Sequence, residues 1–254
     1  MIGRRAMLLL ALLLAGPAMA QERIVAGLSQ SRVAITANFD GSEILIYGAV
    51  RRDAPAPEGR MDVIVTVEGP ATPLTIRRKD RVAGIWINHA SVGIDLAPSF
   101  YAVATSGPLA KILTSTEDLR QRVTISRAIR AVGTSAEADG AQAFVQALIR
   151  IRSADDSFRV QEGAVEFSEQ TLFRADVELP ANLIEGAYRV RMLLTRGGAV
   201  VDTQERVIDV QKAGLERFLF RLSQDAPLVY GLLALALAAF AGWGASEVFR
   251  RVRF

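Results

Sequence analysis

Between residues 33 and 110 the apolar positions recur with a period of two. VAITANF (33–39) sets Val33, Ile35, Ala37 and Phe39 on one face against Thr36, Asn38 and Asp40, the alternation of a half-buried strand. EILIYGAV (43–50) is apolar on both faces, which predicts a central strand, and Asp40-Gly41 ahead of it is a hairpin signal. DVIVTVEG (62–69) turns Val63, Val65 and Val67 inward after the Pro/Gly-rich loop DAPAPEGR. LTIRR (74–78) and VAGIWIN (82–88) bracket a charged turn, RRKD, and APSFYA (97–102) makes the next turn.

From about 111 to 157 the period changes to that of a helix. Ser115 with Asp118 reads as a capping-box start, with Leu119, Val123 and Ser126 following at helical spacing. Further on, Ala141, Phe144, Val145, Leu148 and Ile149 form one apolar stripe, with Gln142, Gln146 and Arg150 turned away. The pattern predicts a helix pair packed on a sheet. Strand alternation returns at 158: Thr171, Phe173, Ala175, Val177 and Leu179 oppose Arg174, Asp176 and Glu178. Tyr188, Val190, Met192 and Leu194 point inward, Arg189 and Arg191 outward, and Gly197-Gly198 makes a tight hairpin. A slip of the alternation near Arg206 predicts a bulge. The expected fold is mainly β with a helical insertion, an immunoglobulin-like antiparallel sandwich followed by one C-terminal transmembrane helix.

The two ends supply that membrane reading. Arg4 and Arg5, the run AMLLLALLLAG and the small-x-small ending Pro17-Ala18-Met19-Ala20 have the layout of a signal peptide, with cleavage expected after Ala20. Residues Ala226 to Ser246 carry no charge and, as a helix, reach roughly 30 Å, the thickness of a bilayer's hydrocarbon. Arg250, Arg251 and Arg253 place the following end in the cytoplasm, and Tyr230 and Trp243 suit the two interfaces. The divisions expected are a signal peptide (1–20), a β part (21–110), a helical segment (111–157), a second β part (158–212), a juxtamembrane amphipathic helix (213–225), the span (226–247) and a basic tail (248–254). The 213–225 stretch suits either the membrane surface or a docking helix. The protein is thus expected in the inner membrane, single-pass, with its main domain in the periplasm.

Charge changes the picture little once these ends are set aside. Without Arg4, Arg5, Arg250, Arg251, Arg253 and Glu247, the totals of 30 basic and 27 acidic residues become 25 and 26. Nucleic acid is therefore not an implied partner. The chain has no cysteine, so an exported domain has no disulfides and rests on its core.

Candidate chemistry is sparse. One histidine and no cysteine leave no thiol catalysis and no His-rich metal site, and no cofactor or metal is expected. A Ser-His-Asp arrangement from Ser91 or Ser99, His89 and Asp95 lacks a nucleophile elbow. Alternation splits Trp86 and Asn88 from His89, which falls at the end of an inward or partner-facing row. What stands out is a recognition edge: Arg77, Arg78, Lys79, Arg81, Trp86, Asn88, His89, Ser99 and Tyr101. In the span, Ala234, Ala238, Gly242 and Ser246 recur every four residues, a small-residue stripe that admits a second helix.

GLSQSRVAITANFDGSEILIYGAV, RRKDRVAGIWINHASVGIDLAPSFYAVATSGPL, LFRADVELPANLIEGAYRV and APLVYGLLALALAAFAGWGASEVFRR together resemble the predicted transmembrane protein family of alphaproteobacteria, whose function is unknown. The likeness spans nearly the whole chain and brings no catalytic residues. It implies an accessory role beside an integral membrane partner of the sulfite-exporter-like permease kind. The expected function is a non-enzymatic, membrane-anchored periplasmic protein contacting such a transporter-like partner, with a homo-oligomer left open. The rival expectation is a ligand-binding or hydrolytic domain using His89 and Ser99.

Overall fold

The structure, a computed structural model, describes residues 22–36, 39–53, 55, 59–130, 138–212, 219 and 222–251. The expected signal peptide, Ala37 and Asn38 of the first strand, most of the 213–225 segment and residues 252–254 lie outside these. The strands are β1 (Glu22–Leu28), β2 (Arg32–Ile35), β3 (Ser42–Arg52), β4 (Met61–Glu68), β5 (Ala71–Val82), β6 (Ile85–Pro98) and β7 (Tyr101–Thr105), then β8 (Phe158–Glu162), β9 (Val165–Ser168), β10 (Leu172–Leu179), β11 (Gly186–Arg196) and β12 (Ala199–Lys212). The helices are α1 (Leu109–Ile112), α2 (Ser115–Gln121), α3 (Ile125–Ala128), α4 (Ala138–Ala154) and α5 (Pro227–Arg251).

A four-stranded sheet in the order β1-β3-β10-β9 faces a six-stranded sheet in the order β2-β12-β11-β4-β7-β8, and β5 and β6 form a separate ribbon. Each sheet contains strands from both sides of the helical segment, so the two β parts make one body. The chain is mainly β and its sheets curl into a half-barrel. The purely antiparallel arrangement expected does not hold, because β2 runs parallel to β12 and β7 parallel to β8. Along one edge β1 meets β12, where the Ile24 amide donates to Asp202 Oδ2 at 2.6 Å.

The six-stranded sheet is a middle layer, which explains its sequences. On one side Val63, Val65, Val67, Val190, Met192 and Leu194 meet Ile44, Ile46, Phe173, Ala175 and Val177 of the other sheet. On the other side Ile64, Tyr101, Val103 and Leu193 meet Val123, Ile125, Val145 and Leu148. Strands buried on both faces read as continuous apolar runs, as β4 and β7 do. The expected central place of β3, the inward valines of β4, the inward rows of β10 and β11, and the Gly197-Gly198 turn, with φ of 57° and 83°, are all present.

Several local expectations fail for identifiable reasons. Asp40-Gly41 closes no hairpin: β3 takes β1 as its antiparallel neighbour while β2 crosses to the other sheet. Helix α2 begins at Ser115, but its cap is the residue before: Thr114, not Ser115, is the N-cap and accepts from the Glu117 amide at 3.3 Å. It stops after Gln121, since Arg122 is left-handed at φ 52° and Asp118 Oδ1 accepts the Val123 and Thr124 amides at 3.1 and 2.8 Å. Val123 and Ser126 therefore lie beyond it, and Leu119 is exposed. The second helix, α4, buries Phe144, Val145 and Leu148 as expected, while the side chain of Ala141 lies outside the described residues. β12 is regular at Arg206, and the bulge falls instead at Val201, between the pairs Leu194–Asp202 and Thr195–Val200.

Candidate functional site

The recognition edge expected from sequence divides in two. Its basic part is the distal half of the β5–β6 ribbon. The turn is not RRKD: register pairs Val82 with Ile85, so the two loop residues are Ala83 and Gly84, with φ of 50° and 85°. Positive φ at both central residues gives the twist that a two-residue hairpin needs, which Gly84 meets at no steric cost. Arg77 to Asp80 consequently lie within β5. Arg78 pairs with Ala90 and Lys79 with Asn88, leaving His89 as the extra residue of a bulge.

His89 does not face inward. Residues 81 to 89 are all exposed, and the His89 Nδ1 sits 3.7 Å from the Asp80 carboxylate, which also lies 3.5 Å from Arg78 Nη2. Residues directly opposite across a ladder share a face. One face thus holds Arg81 with Trp86 and Lys79 with Asn88, the other Val82 with Ile85 and Asp80 with Ile87. Val82, Ile85, Trp86 and Ile87 are 46, 68, 66 and 42% exposed, four large apolar side chains with no core beneath them.

Ser99 and Tyr101 belong elsewhere. His89 and Ser99 are ten residues apart along one extended segment, roughly 30 Å at 3.3 Å per residue, so the structure does not bring them together. Ser99 is only 7% exposed, its hydroxyl pressed against Gly69 beside Tyr188. Tyr101 is fully buried in β7 and its hydroxyl donates to the Val123 carbonyl at 2.9 Å. Burial pushes its hydroxyl up to about 12, with Arg191 acting in the opposite sense. Both residues are core members, not part of an exposed edge.

A second site was not legible as a pattern. An open depression of about 420 Å³ is lined by Arg120, Arg122, Arg130, Arg189 and Arg191, with Glu68, Leu96 and Gln121 among the other wall residues. Its rim is the loop after α2, held by the Asp118 bonds and by Thr124 Oγ1 donating to Asp118 Oδ2 at 2.8 Å. Arg130 is fixed by an isolated bridge to β6, its amide donating to the Leu96 carbonyl at 2.8 Å. Arg189 and Arg191 stand on the helix side of β11. Arg191 is not outward in the sense expected: Nη1 donates to the Gln121 carbonyl at 2.8 Å, Nη2 approaches the Arg122 carbonyl and Tyr101 Oη, and Nε is buried without an acceptor. Glu68 lies 3.3 Å from Arg189 Nη2, and Arg120 Nη1 pairs with Glu117 at 2.7 Å. The one signal in sequence was the Arg-x-Arg on β11, whose outer face the inserted helices cover.

The span predicted from 226 to 247 is the apolar part of α5. Pro227–Glu247 has a mean hydropathy of 1.9 over its apolar window, none of which is buried, and Ala234, Ala238, Gly242 and Ser246 are exposed along it. The family model described as "Putative transmembrane protein (Alph_Pro_TM)" matches residues 23–251. The chain belongs to this family. The Alph_Pro_TM match runs from β1 to the end of α5, so the β body and the apolar helix form one family unit. No curated protein matches the chain. Among solved structures it is similar to the sporulation control protein Spo0M from Bacillus subtilis, at 10% identity and a TM-score of 0.30, over 81% of this chain and 55% of that one. The chain thus spans about half the length of that protein.

Proposed function

We propose that this Alph_Pro_TM protein is a non-enzymatic, membrane-anchored interaction protein. Its β body stands on the periplasmic side of the inner membrane, α5 crosses the bilayer, and the distal β5–β6 ribbon recognises an integral, transporter-like membrane partner. The observation that carries this reading is the ribbon's tip, where Val82, Ile85, Trp86 and Ile87 are exposed among Arg77, Arg78, Lys79 and Arg81. Contiguous exposed apolar side chains mark contact sites, and Trp and Arg are over-represented where binding energy concentrates. Anchoring supports it, because a tethered domain meets a membrane partner at high effective concentration. For the body, Tyr188 donating to the Ile184 carbonyl at 2.9 Å resembles the tyrosine corner of immunoglobulin-like sandwiches and supports that kinship. The hydrolytic alternative gains no support, since His89 lies in the distal half of β6 and Ser99 just beyond the strand's other end.

The test is site-specific photocrosslinking in intact cells, with a benzophenone amino acid at position 86 and, as control, at the exposed Val25 of β1. An adduct with a polytopic membrane protein is expected from position 86, reduced when Ile85→Asp is added. No adduct from position 86, or the same adduct from position 25, would overturn the reading.

A further inference from the structure

We propose that the arginine-lined depression beneath the α2 loop is a binding site for a phosphate or sulfate group. Five arginines line it: Arg120, Arg122, Arg130, Arg189 and Arg191. Two carboxylates answer them, Glu68 at Arg189 and Glu117 at Arg120. Arg122 and Arg130 have no acidic partner among the described residues, and Arg191 keeps a buried Nε with no acceptor. Like charges in excess of their counter-charges repel, and this arrangement is not a by-product of a basic surface, since the segment 21–225 carries nearly equal numbers of acids and bases.

The chemistry favours an oxyanion. Every cation in the wall is arginine, whose planar fork matches two oxygens of a tetrahedral anion, and none is lysine. The Arg191 guanidinium is pre-positioned by the Gln121 and Arg122 carbonyls, and the backbone that carries Arg130 is fixed to β6. The volume, about 420 Å³, leaves room for a substituent on the anion. On β11, Arg189 pairs with Val207 of β12, the strand that ends at Lys212. A lipid headgroup phosphate and a free oxyanion are two sources of the same chemistry. This site stands apart from the ribbon tip and does not rest on the partner proposed for it.

The experiment uses the full chain in nanodiscs of phosphatidylcholine alone or with phosphatidylglycerol. Thermal unfolding is followed with sodium phosphate, sodium sulfate or sodium chloride at matched ionic strength. Phosphate or sulfate is expected to raise the midpoint above chloride, or phosphatidylglycerol to raise it above phosphatidylcholine. The first result identifies a free anion, the second a headgroup. Arg122→Gln and Arg130→Gln, both at exposed positions, should each weaken the effect roughly tenfold in concentration, while Arg206→Gln leaves it unchanged. Identical midpoints in all salts and both lipids would overturn the proposal, as would an anion effect that survives in the Arg122→Gln, Arg130→Gln double variant.

Discussion

Glu22 offers the sharpest stability test, because it is a buried charge joining the two sheets. Its carboxylate accepts from Arg52 Nε at 2.9 Å within its own sheet and from Arg196 Nη2 at 2.8 and 3.0 Å across from the other sheet. The three side chains are 3, 18 and 11% exposed for Glu22, Arg52 and Arg196. Solvent screening is weak there, so the interaction differs in kind from a surface pair. Glu22→Ala removes the carboxylate and leaves two guanidiniums facing each other with little water. Breaking a buried pair in this way costs about 3–5 kcal/mol, and for a domain of this size each kcal/mol moves Tm by about 2–4 °C. The expected fall is thus about 6–20 °C. The assay is near-UV circular dichroism of the full chain in detergent, read from the buried Tyr101 and Tyr188. Fluorescence serves less well, since Trp86 and Trp243 are 66 and 70% exposed and report the ribbon tip and the span. Glu166→Ala, on the exposed face of β9, is the control and should stay within about 0.5 kcal/mol. A loss below about 1 kcal/mol for Glu22→Ala would refute the idea that this carboxylate holds the sheets together by charge.

Two further perturbations address the core. Burial holds the Tyr101 hydroxyl near 12, above its ordinary 10, so the folded state keeps the proton more tightly than the unfolded one. That contribution is complete below pH 10 and is lost as pH rises through 12, about 2–3 kcal/mol in all. Burial of Tyr188 pushes its hydroxyl the same way. Tyr101→Phe should cost about 1 kcal/mol at neutral pH and flatten the alkaline loss in urea titrations between pH 9 and 12; an unchanged alkaline slope would count against it. Gly69→Ala would bring a Cβ to 2.6 Å from Ser99 Oγ and 2.9 Å from Tyr188 Cε1, an overpacking cost of about 1–3 kcal/mol. Adding Ser99→Gly should recover part of the lost urea midpoint, and no recovery would show that the clash lies elsewhere.

What sequence patterns could reveal here depended on whether a residue's role was local. Alternation placed Val63, Val65, Val67, Phe173, Val177 and Met192 correctly because each strand's buried face is written in its own residues. Pairing partners were not so written. Asp40-Gly41 has hairpin chemistry, yet β1 outcompetes β2 for the edge of β3, a choice made by the whole sheet. The same distinction governs the sites. The basic cluster of the ribbon is contiguous in sequence, so Arg77, Arg78, Lys79, Arg81 and Trp86 stood out, although the turn falls at Ala83-Gly84, beyond RRKD, which puts Arg77 to Arg81 in a strand and makes His89 a bulge. Ser99 and Tyr101 were joined to that cluster by proximity in sequence alone, and a long extended β6 carries them to the opposite end. The arginine depression shows the converse. Arg120, Arg122, Arg130, Arg189 and Arg191 come from three separate stretches, each of which reads locally as a solvated helix end, a loop or an outward strand face. They converge because the inserted helices cover the outer face of β11, turning what alternation labels as solvent into the floor of a charged depression. A strand buried on both faces thus carries charges that must be satisfied, and those charges are where this fold holds chemistry that its local patterns hide.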